Sequence, residues 1–132
     1  QGKYNLFNRE PEEEGILRQA KENGTGFIAF SPLAQGLLTN RYLNGIPEDS
    51  RMARGGFLKK EQLTEDVLSK IKALNKMAEE RGQTLAEMAL AWVLKDDLVT
   101  SVIIGASSVA QLEDNLKAIR NTSFTKEELR RL

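Results

Sequence analysis

An unbroken apolar run, Phe27-Ile28-Ala29-Phe30, stands between Gly26 and Pro32. A short run with no polar alternation suits a strand covered on both faces, as in a parallel sheet flanked by helices. Two further segments are expected as strands. Val99-Thr100-Ser101-Val102-Ile103-Ile104 is β-branched and apolar, and Lys3-Tyr4-Asn5-Leu6-Phe7 is a short aromatic and apolar stretch.

Helical signals fill the intervals. Glu12 to Asn23 has a proline in front, acidic residues in its first turn, Ile16, Leu17 and Ala20 on one face, and Gly24 behind it. Thr64 to Arg81 lines up Val67, Leu68, Ile71, Leu74, Met77 and Ala78 and stops at Gly82. Thr84 and Glu87 have capping-box spacing and open a helix with Leu85, Met88, Ala89, Trp92 and Val93 turned inward. Ser108 with Gln111 repeats the spacing before Val109, Leu112, Leu116 and Ile119, and Thr125 with Glu128 repeats it near the chain end. Leu43 to Lys60, rich in Gly, Pro and Arg, reads as a long basic loop.

Strands alternating with helices define an α/β class with a parallel sheet. Three strands alone leave two open edges, so the chain is expected to be part of a larger sheet. The 132 residues are expected to form one unit, 1–132.

Composition removes several functions. The chain has no Cys and no His, which excludes thiolate and imidazole chemistry from its own residues and fits a reducing, cytoplasmic setting. Nineteen Lys and Arg against nineteen Asp and Glu give no net field for a polyanion, so no nucleic-acid partner is expected. No apolar run is long enough for a spanning helix, so no membrane role is expected either. The chain opens Gln1-Gly2 without a signal-peptide pattern, as expected of a processed chain or a piece of a longer one.

Two strand ends stand out for chemistry. After Val102 the chain runs Gly105-Ala106-Ser107-Ser108 into a helix, where small residues and free amides favour a phosphate. An ordinary capped connection is an equal reading of the same residues. Phe30-Ser31-Pro32-Leu33 ends another strand; Phe30 offers a flat face to a planar ring or is plain core, and Ser31 offers a donor. Arg41 and Arg51 flank a loop and either clamp phosphates or stand as solvated charges. Trp92 reads as core, Glu12 to Glu14 as a response to the helix dipole, Asp96-Asp97 as a turn, and Arg9 as half of an ion pair.

At these residues the sequence resembles the aldo-keto reductase family over nearly its whole length. The resemblance rests on Gln1-Gly2-Lys3-Tyr4-Asn5-Leu6 with Arg9, FSPLAQGLLTNRY from Phe30 to Tyr42, GIPEDSR from Gly45 to Arg51, and IIGASSVAQLEDNL from Ile103 to Leu116. Within the family the chain most resembles bacterial L-glyceraldehyde 3-phosphate reductases and potassium-channel β subunits. The resemblance implies a partial (β/α)8 barrel, with Lys3 to Leu6, Phe27 to Phe30 and Val102 to Ile104 as strands six to eight. Barrels of this type place phosphate sites in the loops after strands seven and eight.

Carried over by position, the resemblance implies that Gln1 binds the nicotinamide carboxamide and Phe30 stacks on the ring. Ser31, Leu33 and Arg41 would contact the pyrophosphate, and Arg51 would lie near the adenosine phosphate. Ser107 and Gln111 would hold the 2′-phosphate region, and Asp114 and Asn115 would contact adenine. NADPH is the implied cofactor. Many relatives carry a basic residue at or beside Ser107 and Ser108, which leaves NADH open as well.

The family's catalytic Asp, Tyr, Lys and His belong to the first half of a barrel of about 250 residues. The chain is therefore expected to be the cofactor-binding half of an enzyme acting on a small carbonyl substrate, inactive alone, with homo-oligomers allowed. A nucleotide-sensing interaction module and an inactive truncated fragment are the alternative expectations.

Overall fold

The computed structural model describes residues 1–43 and 63–132. Strands β1 (Gly2–Lys3), β2 (Ile28–Phe30) and β3 (Ser101–Val102) form one parallel sheet in the order β1-β2-β3. Gly2 pairs with Ala29 and Lys3 with Phe30, while Ile28 pairs with Ser101 and Ala29 with Val102. Between β1 and β2 stand helices α1 (Glu10–Glu13) and α2 (Ile16–Glu22). Between β2 and β3 stand α3 (Glu65–Glu80) and α4 (Leu85–Val93), and α5 (Val109–Leu116) and α6 (Lys126–Arg131) follow β3.

The strands are shorter than the apolar runs that announce them. The first is paired only at Gly2–Lys3, because Asn5 turns the chain: its Oδ1 accepts from the amides of Phe7 and Asn8 at 2.8 and 2.9 Å. Within Val99 to Ile104, only Ser101–Val102 is strand. The expected single helix from Glu12 to Asn23 is two helices, broken where Gly15 takes a left-handed φ of 78°.

The run Phe27 to Phe30 departs further from its expectation. Phe27 and Ala29 are buried, but Ile28 and Phe30 are 41% and 37% exposed. Helices cover one face of the sheet, and the other carries Lys3, Ile28, Phe30 and Ile103 with nothing over them among the described residues. The apolar stripe of α5 is uncovered too among the described residues. Val109, Leu112 and Leu116 are exposed, as is Ile119 at 69%, which the sequence placed on the same helix but which lies in the 3-10 turn (Lys117–Arg120) that follows it.

The core lies in two buried clusters. One joins Leu38 and Tyr42 to Ile71, Met77 and Ala78 of α3 and Leu85, Met88 and Ala89 of α4. The other joins Tyr4, Leu17, Phe27 and Ala29 to Trp92, Val93 and Val99. Helix α4 is buried along its whole length, from Leu85 to Val93, with Glu87 the charged residue among them. Trp92 is core as expected, its ring flanked by the cationic groups of Arg9 at 5.0 Å and Lys95 at 4.1 Å.

Candidate functional site

The chain leaves β2 in a conformation that side chains rarely adopt. Ser31, Ala34 and Gln35 have φ of 52°, 50° and 58°, all left-handed and none of them glycine. Buried Asn5 holds this segment: its Nδ2 donates to the Ser31 carbonyl at 2.9 Å. The Ala34 amide donates to the same carbonyl at 3.2 Å, and the Gly36 and Leu38 amides donate to Leu33. Gly36 has φ of 96°, and a Cβ there would meet the Tyr42 ring at 3.4 Å. Thr39 then caps a short turn over Asn40–Tyr42, accepting from the Arg41 amide at 3.2 Å. The result presents Leu33, Thr39, Asn40 and Arg41 on one wall of a cleft.

The opposite wall is the start of α5. Ser108 caps it, accepting from the Gln111 amide at 3.1 Å, as its spacing predicts. The Gln111 side chain does not return to Ser108 to close a box. Its Oε1 instead accepts from the Ser107 amide at 2.7 Å and the Ser107 hydroxyl at 3.0 Å. An anion at this helix start would take those donors from Gln111.

The floor brings α4 and α5 together. Thr84, the cap of α4, donates from its hydroxyl to Asp114 Oδ2 at 3.1 Å. Asn115 is 4% exposed, and its Nδ2 has no hydrogen-bond partner among the described residues. Burial pushes the Glu87 carboxyl above its ordinary value, and its hydrogen bond to Asp114 and that group's charge push the same way. A hydrogen bond from Thr84 and the charge of Lys117 oppose the rise.

The cleft has a volume of about 370 Å³ and gathers Leu33, Arg41, Ser107, Gln111, Asp114 and Asn115. Those are six of the ten residues expected of the site. Phe30 and Ser31 lie just before this wall and do not line it, and Phe30 sits on the uncovered sheet face. Alternation back from Gly2 brings Gln1 to that same face. Arg51 lies outside the described residues. Thr39, Asn40, Thr84 and Ala86 also line the cleft and were not anticipated. Thr84 carried only a helix-start signal, which says nothing about which neighbouring helix its hydroxyl reaches.

Arg41 supplies a guanidinium on one wall, α5 begins on the other, and a buried amide donor waits at the floor. The family model for the aldo/keto reductase family matches residues 1–132. The chain belongs to the aldo/keto reductase family. It is 54% identical over 133 residues to the L-glyceraldehyde 3-phosphate reductase of Escherichia coli strain K12, covering 98% of this chain and 38% of that protein. It is 41% identical over 122 residues to a probable voltage-gated potassium channel subunit beta of Arabidopsis thaliana, covering 90% of this chain and 37% of that one.

Among solved structures, an aldo-keto reductase from Bacillus halodurans in its holo form matches with a TM-score of 0.71 at 28% identity, over 98% of this chain and 39% of that one. A thermostable aldo-keto reductase bound to the inhibitor epalrestat matches with a TM-score of 0.65 at 26% identity, over 97% and 36%. The chain thus spans well under half the length of each aldo/keto reductase it matches here.

Proposed function

We propose that the protein is an NADP(H)-dependent carbonyl oxidoreductase, and that this chain carries its cofactor-binding portion as about strands six to eight of a (β/α)8 barrel. The observation that carries the reading is the cleft itself. It lies between the segments that follow β2 and β3, and it holds a cation, a helix start and the unpartnered Asn115 Nδ2. Its volume of about 370 Å³ falls within the range of small-ligand sites, roughly 300–1,000 Å³.

The residues present fit the nucleotide end of such a cofactor. Asn115 Nδ2 offers a donor to a ring nitrogen of adenine, and Asp114 stands beside it as an acceptor for an exocyclic amine. Arg41 offers a charged fork to a phosphate, with Ser107 and Gln111 opposite at the start of α5. Phe30 and Gln1 share the uncovered sheet face, where a nicotinamide ring would lie against the aromatic. Arg51 is assigned to the adenosine phosphate by family resemblance.

When bound, the cofactor supplies a hydride to the carbonyl carbon of a small substrate. The residues of this chain bind and orient. Proton donation falls to residues beyond it, so the chain alone is inactive. NADPH is the cofactor of this reading, with NADH as the competitor, because the two serines at the helix start provide no cation. A cytoplasmic setting belongs to the same reading.

Calorimetry with NADPH and NADH on the intact protein, then on Phe30→Ala and Arg41→Ala, tests it. Each substitution is expected to weaken NADPH by about tenfold, the scale of one lost charged hydrogen bond or stacking contact. Unchanged affinity in both variants overturns the assignment.

The similarity to a potassium channel subunit beta supports a second reading, a nucleotide-sensing interaction module. Tight NADPH binding with negligible turnover on small aldehydes, together with a co-purifying partner, decides for it.

A further inference from the structure

Thr64, Thr84, Ser108 and Thr125 cap the α-helices they precede, and Thr84 uses its hydroxyl differently from the other three. Thr64, Ser108 and Thr125 each accept an amide of their own helix, and among the described residues none of their hydroxyls donates to another element. Thr84 accepts the Glu87 amide at 3.1 Å and also donates to Asp114 Oδ2 at 3.1 Å, thirty residues away on α5. A hydroxyl has one proton and two lone pairs. The cap fixes the oxygen at the start of α4, and its proton goes to Asp114.

Thr84 and Asp114 both line the cleft, with Asn115 beside them. Asn115 is 4% exposed, and its Nδ2 has no partner among the described residues. Among those residues no Lys or Arg pairs with Asp114 either, so no cation competes for the acceptor that a ligand meets. Holding one oxygen of a carboxylate restricts its rotation. An acceptor and a donor on successive residues match the edge of adenine, where the 6-amino group donates and a neighbouring ring nitrogen accepts. Hypoxanthine carries a 6-oxo group in place of the amine, which turns the contact with the carboxylate into a repulsion.

We propose that Thr84 is a positioning residue for base recognition: its hydroxyl holds Asp114 in the orientation that selects a 6-amino purine over a 6-oxo purine. The proposal rests on the cofactor reading above, in which the cleft takes the adenosine end of NADPH. A plain staple between α4 and α5 is the competing role, and the two differ in what they change. Loss of a staple lowers stability and weakens every ligand of the cleft alike. Loss of a positioning hydroxyl changes the ratio between two bases.

The test measures the affinity of the intact protein for NADPH and for its 6-deamino analogue, which carries hypoxanthine and is otherwise identical. Wild type is expected to prefer NADPH by about tenfold, the scale of a hydrogen bond exchanged for an unmatched contact. Thr84→Val is expected to bring the preference down to about twofold, the loss of one hydrogen bond's worth of orientation. Thr84→Ser keeps the hydroxyl and is expected to retain the wild-type ratio. In an Asp114→Ala background, Thr84→Val is expected to change the ratio no further, because Thr84 acts through Asp114. Thr84→Gly also lacks the hydroxyl but keeps most of the stability of the cap, since glycine is tolerated there. It is expected to match Thr84→Val, and it answers in its place if the valine variant fails to fold.

Equal weakening of both cofactors in the variants without the hydroxyl, with the wild-type ratio kept, overturns the positioning role and leaves the staple. A wild type that binds the two cofactors equally well overturns it too, because Asp114 then does not read the amine, and the cofactor reading stands. Binding of neither by the wild type overturns the cofactor reading and this inference with it.

Discussion

Asn5 Nδ2 lies 2.9 Å from the carbonyl oxygen of Ser31, joining the turn after β1 to the strained turn after β2. The same side chain accepts two amides through its Oδ1, so a single buried residue sets both turns. Asn5→Ala leaves those amides and the Ser31 carbonyl without their partner, at a cost of about 1–3 kcal/mol for each group left buried and unpaired. Asn5→Asp is the sharper variant. It keeps both acceptors, loses the donor and brings a carboxylate against a carbonyl. Urea unfolding is expected to show a loss for both; if the proposed cofactor site is right, NADPH affinity falls with it, because Leu33 and Arg41 depend on the turn that begins at Ser31.

Arg81 ties the C-terminal segment to the core. Its guanidinium donates to the carbonyls of Asn121 and Ser123 and to Glu128 at 2.9 Å, while lying 3.8 Å over the Phe124 ring. Its side chain is 5% exposed, so little water replaces what a substitution removes. Arg81→Lys keeps the charge and loses the fork, and is expected to cost about 2 kcal/mol, the scale of a hydrogen bond to a charged group. Protease susceptibility after Asn121 should rise with it. A variant as stable and as resistant as the wild type would show that α6 holds without this residue.

The local part of the fold was legible, and the reason is local chemistry. Thr84, Ser108 and Thr125 each cap the helix their spacing announced, and Thr64 caps the helix expected to begin with it, because a hydroxyl reaching an amide three residues on needs no distant partner. The break at Gly15 was hidden, since the acidic turn at Glu12 to Glu14 before it and the apolar face of Ile16, Leu17 and Ala20 after it read together as one helix with an acidic start. Phe27 to Phe30 gave the strand but not its exposure, because side-chain type reports what a face prefers to meet and not what covers it. The cleft was half legible. The ends of β2 and β3 could be marked from small residues, whereas the bond from Thr84 to Asp114 depends on how α4 and α5 pack, which no spacing encodes.

Glu12 makes stability depend on pH at the acid end. Burial raises its carboxyl, but hydrogen bonds from Arg9 and Tyr4, with the charges of Arg9 and Lys95, outweigh that and hold it below the ordinary glutamate value. The Tyr4 hydroxyl donates at 2.9 Å and Arg9 Nη2 at 3.0 Å. A carboxylate whose folded value is lowered contributes stability above its unfolded value, and the contribution is lost as pH falls through the folded one. Thermal unfolding from about pH 6 down to about pH 3 should therefore show a steeper acid loss in wild type than in Glu12→Gln. Superimposable acid limbs would place the sensitivity elsewhere, with Glu128 the next carboxylate to replace, since the Thr125 amide and Arg81 hold it low as well.

The apolar stripe on α5 decides whether further barrel elements cover this chain. Val109, Leu112 and Leu116 of α5 and Ile119 in the turn after it are 73%, 40%, 54% and 69% exposed, and the other side of α5 carries the buried Asn115. Contiguous apolar side chains on a water-facing helix favour association or a covering layer. If the proposed barrel is right, the intact protein buries this stripe, and Leu116→Gln with Ile119→Gln removes two side chains worth roughly 1.5–3 kcal/mol each. The double variant of the intact protein is then expected to unfold several degrees earlier and to bind a hydrophobic dye that the wild type ignores. In chain 1–132 alone the direction reverses. There the two glutamines replace water-facing leucine and isoleucine, so dye binding and self-association should fall and stability should hardly change. An intact protein indifferent to both substitutions would mean that the stripe stays in water there too, and the barrel would then have to close without it.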